Sequence, residues 1–262
     1  MITSIHNPKI QLVRELLSKS RSRSAQMRLV CEGVRLVEEA LHSEQDFVFV
    51  LVADELLTSR GKFLVEELLA YKVPIETVKA DVIQRVSDTE TSQGIIAILK
   101  KRTLPLPKTA SMIFVPAEIS DPGNMGTMLR TAMAAGVELV LIPPSTVDVF
   151  SPKVMRAAMG AHFHLAIHLS SWKEIQEILK DIPCYVAEAE AKLSYDQVDF
   201  RQHFALIIGS EARGAGKEAQ ELATQRISIP MAKNCESLNA AVAAGIILFE
   251  AVRQRRASKE RS

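Results

Sequence analysis

The sequence predicts an α/β protein of two domains, with a parallel β-sheet in the larger, C-terminal one. Short apolar runs alternate with helical patterns along the whole chain of 262 residues, which is typical of parallel strands joined by helices that cover both faces of a sheet. Residues 100–108 combine basic side chains with two closely spaced prolines, so neither a helix nor a central strand can continue through them. We therefore divide the chain into a smaller α/β domain, residues 1–104, and a larger domain, residues 105–262.

The first domain alternates between helical and extended patterns. Pro8 opens a helix that carries Ile10, Val13, Leu16 and Leu17 on one face, and an arginine–serine loop follows it. The later segments are predicted as a helix over 34–41, a strand over 47–53, a helix over 64–71, an extended segment over 74–78, a helix over 80–86 and a strand over 94–99.

The second domain has clearer signals. The predicted elements are a strand over 111–117, a helix over 123–135, a strand over 137–142, a helix over 151–159, a strand over 164–168, a helix over 172–179, strands over 184–187, 204–209 and 227–229, and a last helix over 237–256. His162 and His164 alternate in an extended pattern, so we expect them to form a surface pair on an edge strand. A metal site is the weaker alternative, because no carboxylate pattern lies nearby.

Composition and charge narrow the function classes. The formal net charge is +1, from 32 basic and 31 acidic side chains, so RNA binding would need a local basic surface. Cys31, Cys184 and Cys235 show no C-x-x-C spacing, which favours reduced thiols in a cytoplasmic protein over disulfides or a zinc site. No apolar run has the form of a signal peptide or is long enough to span a bilayer.

A local basic surface is predicted near the N-terminus, where basic residues outnumber acidic ones. It could follow RNA phosphates, and Lys100–Arg102 could extend it. An ordinary solvated helix face explains the pattern equally well. The candidate RNA-binding residues are Arg14, Lys19, Arg21, Arg23, Arg28 and Arg35.

The first candidate functional segment, residues 121–132, has the sequence DPGNMGTMLRTA and follows an apolar strand. Its glycines allow a ligand to approach the backbone closely, and loops at the carboxyl ends of parallel strands are where such folds bind ligands. Arg130 lies one to two turns into the following helix, where its guanidinium could clamp an anion. A helix N-terminus capped by Asn124, with Arg130 as a solvated residue, explains the segment equally well.

The second segment, residues 209–217, has the sequence GSEARGAGK and also follows an apolar strand. It does not fit a phosphate-binding P-loop, because Ala215 occupies the lysine position when the spacing is counted from Gly209. No G-x-G-x-x-G fingerprint for a dinucleotide follows any strand either. A glycine-rich turn could still admit an adenosine-like ligand, with Glu211 as a hydrogen-bond acceptor. An ordinary strand-to-helix turn is the alternative.

The third segment comprises IPM at residues 229–231 and CESLNAA at residues 235–241. Ser237 is predicted to cap the last helix, and Asn239 lies in its first turn, where backbone amide donors are free. The small residues over 240–245 allow very close packing of that helix. Capping alone accounts for Ser237 but accounts less well for Asn239 and the run of alanines.

These three segments, in this order, resemble the three motifs of the SpoU/TrmH family of RNA 2′-O-ribose methyltransferases, part of the SPOUT superfamily. The resemblance covers residues 111–256, and the N-terminal part is more loosely similar to that family's small substrate-binding domain. It implies a parallel α/β sheet whose C-terminal segment forms a deep trefoil knot. It also implies S-adenosylmethionine as the cofactor, held in the knot, and a homodimer formed through the C-terminal domain.

The resemblance also implies roles for individual residues. The implied catalytic residues are Asn124, Arg130, Glu211, Ser237 and Asn239. The implied cofactor-binding residues are Gly209, Ser210, Glu211, Gly214, Ile229, Met231, Ser237 and Leu238. The sequence departs from the family pattern at two places. Ala212 stands where glycine is commoner. Ala157-Ala158 replace a pair made of a small residue and a serine, and the loss of that serine affects one polar contact.

The reaction that the resemblance implies is methyl transfer from S-adenosylmethionine to a ribose 2′-hydroxyl of RNA, with ribosomal RNA favoured over transfer RNA because of the N-terminal domain. The alternatives are a transfer-RNA ribose methyltransferase, a base-methylating relative and a non-catalytic RNA-binding paralogue. The failed P-loop spacing disfavours nucleotide hydrolysis. Because arginine is normally always protonated, we expect Arg130 to orient the RNA and not to act as a base.

Overall fold

The structure is a computed structural model and describes residues 1–211, 213–233 and 236–259. The chain forms two compact units. The first contains Met1–Arg102 and Phe150–Phe163, and the second contains Thr103–Val149 and His164–Ser262. The division after Arg102 lies beside the cut predicted after residue 104. The compact units and the predicted domains differ at residues 150–163, which pack in the first unit.

The first unit is built on a four-stranded mixed sheet. Its elements up to residue 100 are α1 (Pro8–Ser18), α2 (Ser20–Gln26), β1 (Arg28–Glu32), α3 (Val34–His42), β2 (Phe47–Val52), α4 (Ser59–Ala70), β3 (Ile75–Thr77), α5 (Ala80–Val86) and β4 (Ile95–Lys100). The strand order is β1-β4-β2-β3, in which β4 is antiparallel to both of its neighbours and β2 is parallel to β3. Fully buried residues of α1, β2, α5 and β4, such as Ile10, Leu51, Ile83 and Ile98, form its core.

The second unit is built on a seven-stranded parallel sheet. The elements after residue 110 are β5 (Met112–Pro116), α6 (Pro122–Ala135), β6 (Leu139–Ile142), α7 (Pro152–Ala158), β7 (Ala166–Leu169), α8 (Trp172–Ile178), β8 (Cys184–Ala187), β9 (Leu193–Ser194), β10 (Phe204–Ile208), α9 (Lys217–Leu222), β11 (Gln225–Ser228) and α10 (Ala240–Lys259). All of them except α7 lie in the second unit. The strand order is β7-β6-β5-β10-β8-β11-β9, with every neighbouring pair parallel. The predicted parallel sheet is confirmed, and the trefoil knot stays a prediction.

The predicted arginine–serine loop is helical and forms α2. Arg23 is only 5% exposed, and its Nη1 donates to the carbonyl oxygens of Leu16 at 2.5 Å and Leu17 at 3.3 Å. The guanidinium therefore satisfies the last turn of α1, where carbonyl groups lack helical partners and the helix dipole favours a cation. Arg23 is wrong as an RNA-binding residue, because its charged group is buried against α1.

Polar contacts bind α7 to the rest of the first unit. Arg156 donates from Nη2 to Asp88 Oδ2 at 2.8 Å and from Nη1 to Glu32 Oε2 at 3.4 Å. Glu32 is 4% exposed and also accepts hydrogen bonds from the hydroxyls of Ser87 and Thr89. A buried carboxylate is costly unless donors surround it, so these contacts hold Arg156, and with it α7, in place.

The predicted surface pair of histidines is wrong. The chain turns at Gly160, whose φ is +85°, and His162 follows in a short 3-10 turn, Ala161–Phe163, where it is 8% exposed. Strand β7 begins only at Ala166, so the two imidazoles do not share a strand face. Within the described ranges, no group of three His, Cys, Asp or Glu side chains is arranged to hold a metal ion.

Both described cysteines, Cys31 and Cys184, are buried free thiols, whereas Cys235 lies outside the described residues. Burial raises the pKa of Cys184 to about 11 and also raises that of Cys31. Both thiols are therefore protonated at neutral pH and poorly nucleophilic. As far as the structure describes the chain, none of its helices combines the length and apolarity needed to cross a membrane.

Candidate active site

The first two predicted motifs follow neighbouring strands at the centre of the parallel sheet. β5 and β10 are paired in register from Met112 and Phe204 to Pro116 and Ile208. α6 begins shortly after β5, and the glycine-rich loop begins directly after β10. Successive strands are added outward from β5 on one side and the chain then crosses to the other, and ligand sites of open α/β sheets lie at such a switch point. The topology therefore brings the two motifs together.

One side chain from each motif joins a shared hydrogen-bond network. Asn239 Nδ2 donates to Asn124 Oδ1 at 2.9 Å and to Glu211 Oε1 at 3.1 Å. Asn124 Nδ2 donates to Glu211 Oε1 at 3.2 Å, and the backbone amide of Ala240 donates to the same oxygen at 2.8 Å. A single carboxylate oxygen thus links the start of α6, the glycine-rich loop and the start of α10.

Asn239 caps α10, and the predicted cap at Ser237 is wrong. Asn239 Oδ1 accepts from the backbone amides of Ala241 at 3.0 Å and Val242 at 3.3 Å, and the helix begins at Ala240. These bonds satisfy the first-turn amides that an N-cap side chain normally serves. Ser237 lies before the helix and lines the cavity described below.

The glycine-rich loop after β10 is closed by its own backbone. Ser210 and Gly214 exchange two backbone hydrogen bonds of 2.9 Å, which brings the chain back against Gly209. A Cβ atom at Gly209 would collide with backbone atoms of Gly214 and Ala215. Only glycine fits this close approach, and the loop therefore presents its backbone to the space beside it.

A cavity of about 480 Å³ opens beside this loop. Its walls come from the ends of β8, β10 and β11 and from the start of α10. All eight residues predicted to bind the cofactor line it: Gly209, Ser210, Glu211, Gly214, Ile229, Met231, Ser237 and Leu238. One wall was not predicted from the sequence: residues 187–190, which carry Glu188 and Glu190. Its position at the carboxyl end of a parallel strand was the signal that could have found it.

The cavity suits a cationic adenosine derivative better than a nucleotide with phosphates. Its volume falls within the range of about 300–1,000 Å³ that is common for small-molecule sites. The ionisable side chains among its described lining residues are Glu188, Glu190 and Glu211, and none is basic; Glu188 is paired with Arg226 at 3.7 Å, so Glu190 and Glu211 supply most of the negative charge. Carboxylates repel phosphate groups and attract a cation. S-adenosylmethionine carries a positive sulfonium and no phosphate, so these walls fit it.

Arg130 stands apart from the network. It is exposed on α6 and forms no hydrogen bond or ion pair with a residue in the described part of the chain. Of the five predicted catalytic residues, three are therefore joined to one another, Ser237 lines the cavity, and Arg130 presents a guanidinium to solvent. This arrangement leaves Arg130 available to an external substrate.

Where the structure describes them, the other predicted positions are not among the residues that line the cavity. Arg14, Lys19, Arg21 and Arg35 are exposed, and Arg28 is partly buried. The Ala157-Ala158 departure lies in α7, where Ala158 is fully buried, and neither alanine lines the cavity. Ala212 lies outside the described residues.

Comparisons with known proteins cover both units. Residues 111–249 match the SpoU rRNA Methylase family, and residues 7–97 match the MRM3-like substrate binding domain. The 23S rRNA (guanosine(2553)-2′-O)-methyltransferase RlmP of Bacillus subtilis is 30% identical, and the match covers 95% of this chain and 97% of that protein.

Solved structures agree over the same length. A crystal structure of an RNA 2′-O ribose methyltransferase has a TM-score of 0.82 and 31% identity, and the match covers 97% of this chain and 99% of the other. A crystal structure of an AdoMet-bound rRNA methyltransferase from Sinorhizobium meliloti has a TM-score of 0.82 and 25% identity, and the match covers 96% of this chain and 97% of the other. The similarity therefore extends over nearly the whole chain.

Proposed function

This chain belongs to the SpoU rRNA methylase family, and on that premise we propose that it transfers a methyl group from S-adenosylmethionine to a ribose 2′-hydroxyl of ribosomal RNA. The observation that carries this proposal is the cavity at the meeting point of the motifs, lined by all eight residues expected to hold the cofactor. Its acidic walls and closed glycine-rich loop support a cationic cofactor bound against backbone.

The residues of the cavity hold the cofactor and keep the site rigid. S-adenosylmethionine supplies, when bound, a methyl group already activated by a positive sulfur, so that positioning is the main requirement for transfer. Gly209 allows the loop to close, and Glu190 places negative charge on the wall of residues 187–190, where the charge of Glu188 is offset by Arg226 at 3.7 Å. The contacts among Asn124, Glu211 and Asn239 keep the loop and α10 in register. We therefore assign these three to positioning.

Arg130 is proposed to orient the RNA. The ribose hydroxyl is a weak acid, and its proton must be taken up or shared during the reaction. A guanidinium is protonated under ordinary conditions, but its fork of donors can bind a phosphate in two places and hold the neighbouring hydroxyl. The exposure of Arg130, and the lack of a partner among the described residues, support this role.

The first unit is proposed to bind ribosomal RNA. Its match to a substrate binding domain and its exposed basic residues Arg14, Lys19, Arg21 and Arg35 support this assignment. Partly buried Arg28 joins them, and Arg23 is removed from the set. The proposal includes a cytoplasmic location, which the buried free thiols Cys31 and Cys184 support.

The proposal also includes a homodimer formed through α10. One face of this helix, with Ala244, Ile247, Leu248 and Ala251, is fully buried in its own unit. Val242 and Phe249, seven residues apart and so on one face of the helix, are 50% and 48% exposed. A helix that is apolar on two faces requires a second packing partner, and a second copy of this chain supplies one through the same surface.

Methyl transfer to defined RNAs tests the proposed function. The protein is incubated with radiolabelled S-adenosylmethionine and either a 23S ribosomal RNA transcript or transfer RNA, and the modified position is mapped by alkaline hydrolysis. We expect label in ribosomal RNA at a phosphodiester that resists alkali, because a 2′-O-methyl group removes the attacking hydroxyl. Label on a base, or in transfer RNA alone, would contradict the proposal. Cofactor binding without transfer would instead favour a non-catalytic paralogue.

The Arg130→Lys substitution tests the orienting role. Lysine keeps the charge but loses the fork, so we expect turnover to fall by roughly 10- to 100-fold at every pH, with the pH optimum unchanged. The affinity for S-adenosylmethionine, measured by calorimetry, should stay the same. Near-normal turnover with a shifted pH optimum would show that Arg130 acts as a base.

A further inference from the structure

Two like charges are paired across the sheet of the first unit. Arg28 is the first residue of β1 and Lys100 is the last residue of β4, and the antiparallel register places them directly opposite each other. Directly opposite residues carry their side chains on the same face of a sheet. Two cations therefore lie side by side at one end of β1, which is an edge strand.

The backbone hydrogen bonds fix the pair at short distance. The amide of Lys101 donates to the carbonyl oxygen of Met27, next to β1, at 2.8 Å. The amide of Lys100 points away from β1, towards the β2 side of the sheet, and donates to the carbonyl oxygen of Asp46 at 2.8 Å. Arg28 and Lys100 therefore occupy a non-hydrogen-bonded position of the ladder. Opposite Cα atoms are about 4.5 Å apart at such positions, closer than at hydrogen-bonded ones.

No described residue neutralises the pair. Neither side chain forms an ion pair or hydrogen bond with a residue in the described ranges. Asp46 accepts the Lys100 amide through its backbone carbonyl oxygen, but its side-chain carboxylate is paired with Arg102 at 2.8 Å. Like charges directly opposite each other destabilise a sheet, so an anion bound between these two cations would relieve a repulsion built into the fold.

We infer that Arg28 and Lys100 together bind one backbone phosphate of the RNA substrate. Two adjacent cations on a rigid strand end can both donate to phosphate oxygens, and such contacts position a protein on RNA without reading its sequence. The inference rests on the proposed function, because it assigns the anion to RNA. It reduces the broad basic surface, which Lys100–Arg102 were expected to extend, to one defined contact between Arg28 and Lys100.

The Lys100→Glu substitution separates this role from general damage, because it changes stability and RNA binding in opposite directions. Glutamate opposite Arg28 forms an attractive pair, so we expect Tm to rise by about 1–3 °C. Binding of a fluorescein-labelled fragment of 23S ribosomal RNA, measured by fluorescence anisotropy, should weaken by roughly tenfold or more. The slope of log Kd against log salt should also become shallower by about one, because one phosphate contact is lost.

A matched control and a double variant complete the experiment. Lys62→Glu, on the exposed side of α4 in the same unit, changes the net charge equally and should leave RNA affinity within about twofold of the unmodified protein. Arg28→Glu combined with Lys100→Glu restores a like-charge pair, so Tm should return to its starting value while RNA binding weakens further. Equal RNA affinity in the Lys100→Glu and Lys62→Glu variants, or a lower Tm for Lys100→Glu, would overturn the inference.

The proposed function can be tested separately from the phosphate contact of Arg28 and Lys100, which we call the clamp. Calorimetry with S-adenosylmethionine should give the same affinity for Lys100→Glu as for the unmodified protein, because Lys100 does not line the cavity. If the unmodified protein binds the RNA fragment but methylates nothing, the proposed function fails and the clamp does not. If methylation proceeds and the substitutions leave RNA binding unchanged, the clamp alone fails.

Discussion

Gly209 is the residue whose identity the cavity restricts most. Its backbone lies so close to Gly214 and Ala215 that an added Cβ would overlap backbone atoms, which cannot move aside as the end of a side chain can. The two hydrogen bonds between Ser210 and Gly214 hold that approach in place. The geometry of the loop therefore depends on a single missing methyl group.

The Gly209→Ala substitution is expected to open the loop and abolish measurable binding of S-adenosylmethionine. The overlap should also lower the free energy of unfolding by about 1–3 kcal/mol. Gly136→Ala is the matched control: its Cβ would meet no atom within 4 Å, but its φ of +78° makes alanine unfavourable there. It should therefore lose about 1 kcal/mol of stability and keep its cofactor affinity. Normal cofactor affinity in Gly209→Ala would contradict this account of the loop.

Individual residues were predictable from sequence where a motif specified them. All eight expected cofactor residues line the cavity, because glycine spacing and residue type are local properties. Glu190 was missed although it follows the predicted strand over 184–187, whose carboxyl end is where such folds bind ligands; its local sequence does not indicate which other loop it faces. Arg23 was misassigned for a related reason: its burial depends on how α2 folds back onto the carbonyl groups of α1.

The start of α10 is the element on which the three motifs converge. Asn239 uses its oxygen to cap the helix and its nitrogen to contact Asn124 and Glu211. The cap predicted from the sequence, Ser237, was wrong, because residue preference alone does not distinguish serine from asparagine. Which residue caps the helix depends on Glu211, which is distant in sequence and accepts a hydrogen bond from the backbone amide of Ala240.

Substitutions at Asn239 separate the capping role from the network role. Asn239→Ala loses both and should reduce the free energy of unfolding by about 1–2 kcal/mol. Asn239→Asp keeps an equally good cap, but it replaces the donating nitrogen with an oxygen that faces Glu211 Oε1 and Asn124 Oδ1. We expect it to remain destabilised and to bind S-adenosylmethionine more weakly. Ser237→Ala leaves the Asn239 cap in place, so it should destabilise the protein less than Asn239→Ala does. Thermal unfolding and calorimetry measure both effects, and an Asn239→Asp variant equal to the unmodified protein would mean that capping alone matters.

The architecture of the whole chain was largely predictable, and its long-range packing was not. Continuous apolar runs such as 204–209 and 137–142 indicated buried parallel strands, and both lie in the seven-stranded sheet. The mixed sheet of the first unit and the placement of α7 within it depend on contacts between distant residues, such as those of Arg156 with Glu32 and Asp88. The local sequence pattern of α7 does not indicate which distant residues it contacts.

The second apolar face of α10 makes a prediction about the assembly. A two-fold interface contains two copies of Phe249, one from each subunit, so Phe249→Glu removes two apolar side chains from it and adds two charges. At about 1.5 kcal/mol for each lost contact, dimer affinity should fall by roughly 100-fold or more, and sedimentation should show a monomer at micromolar concentration. Phe63→Glu is the matched control, since Phe63 is 60% exposed on α4 in the other unit and should leave the dimer intact. If the Phe249→Glu variant sediments as the Phe63→Glu variant does, α10 does not form the dimer interface.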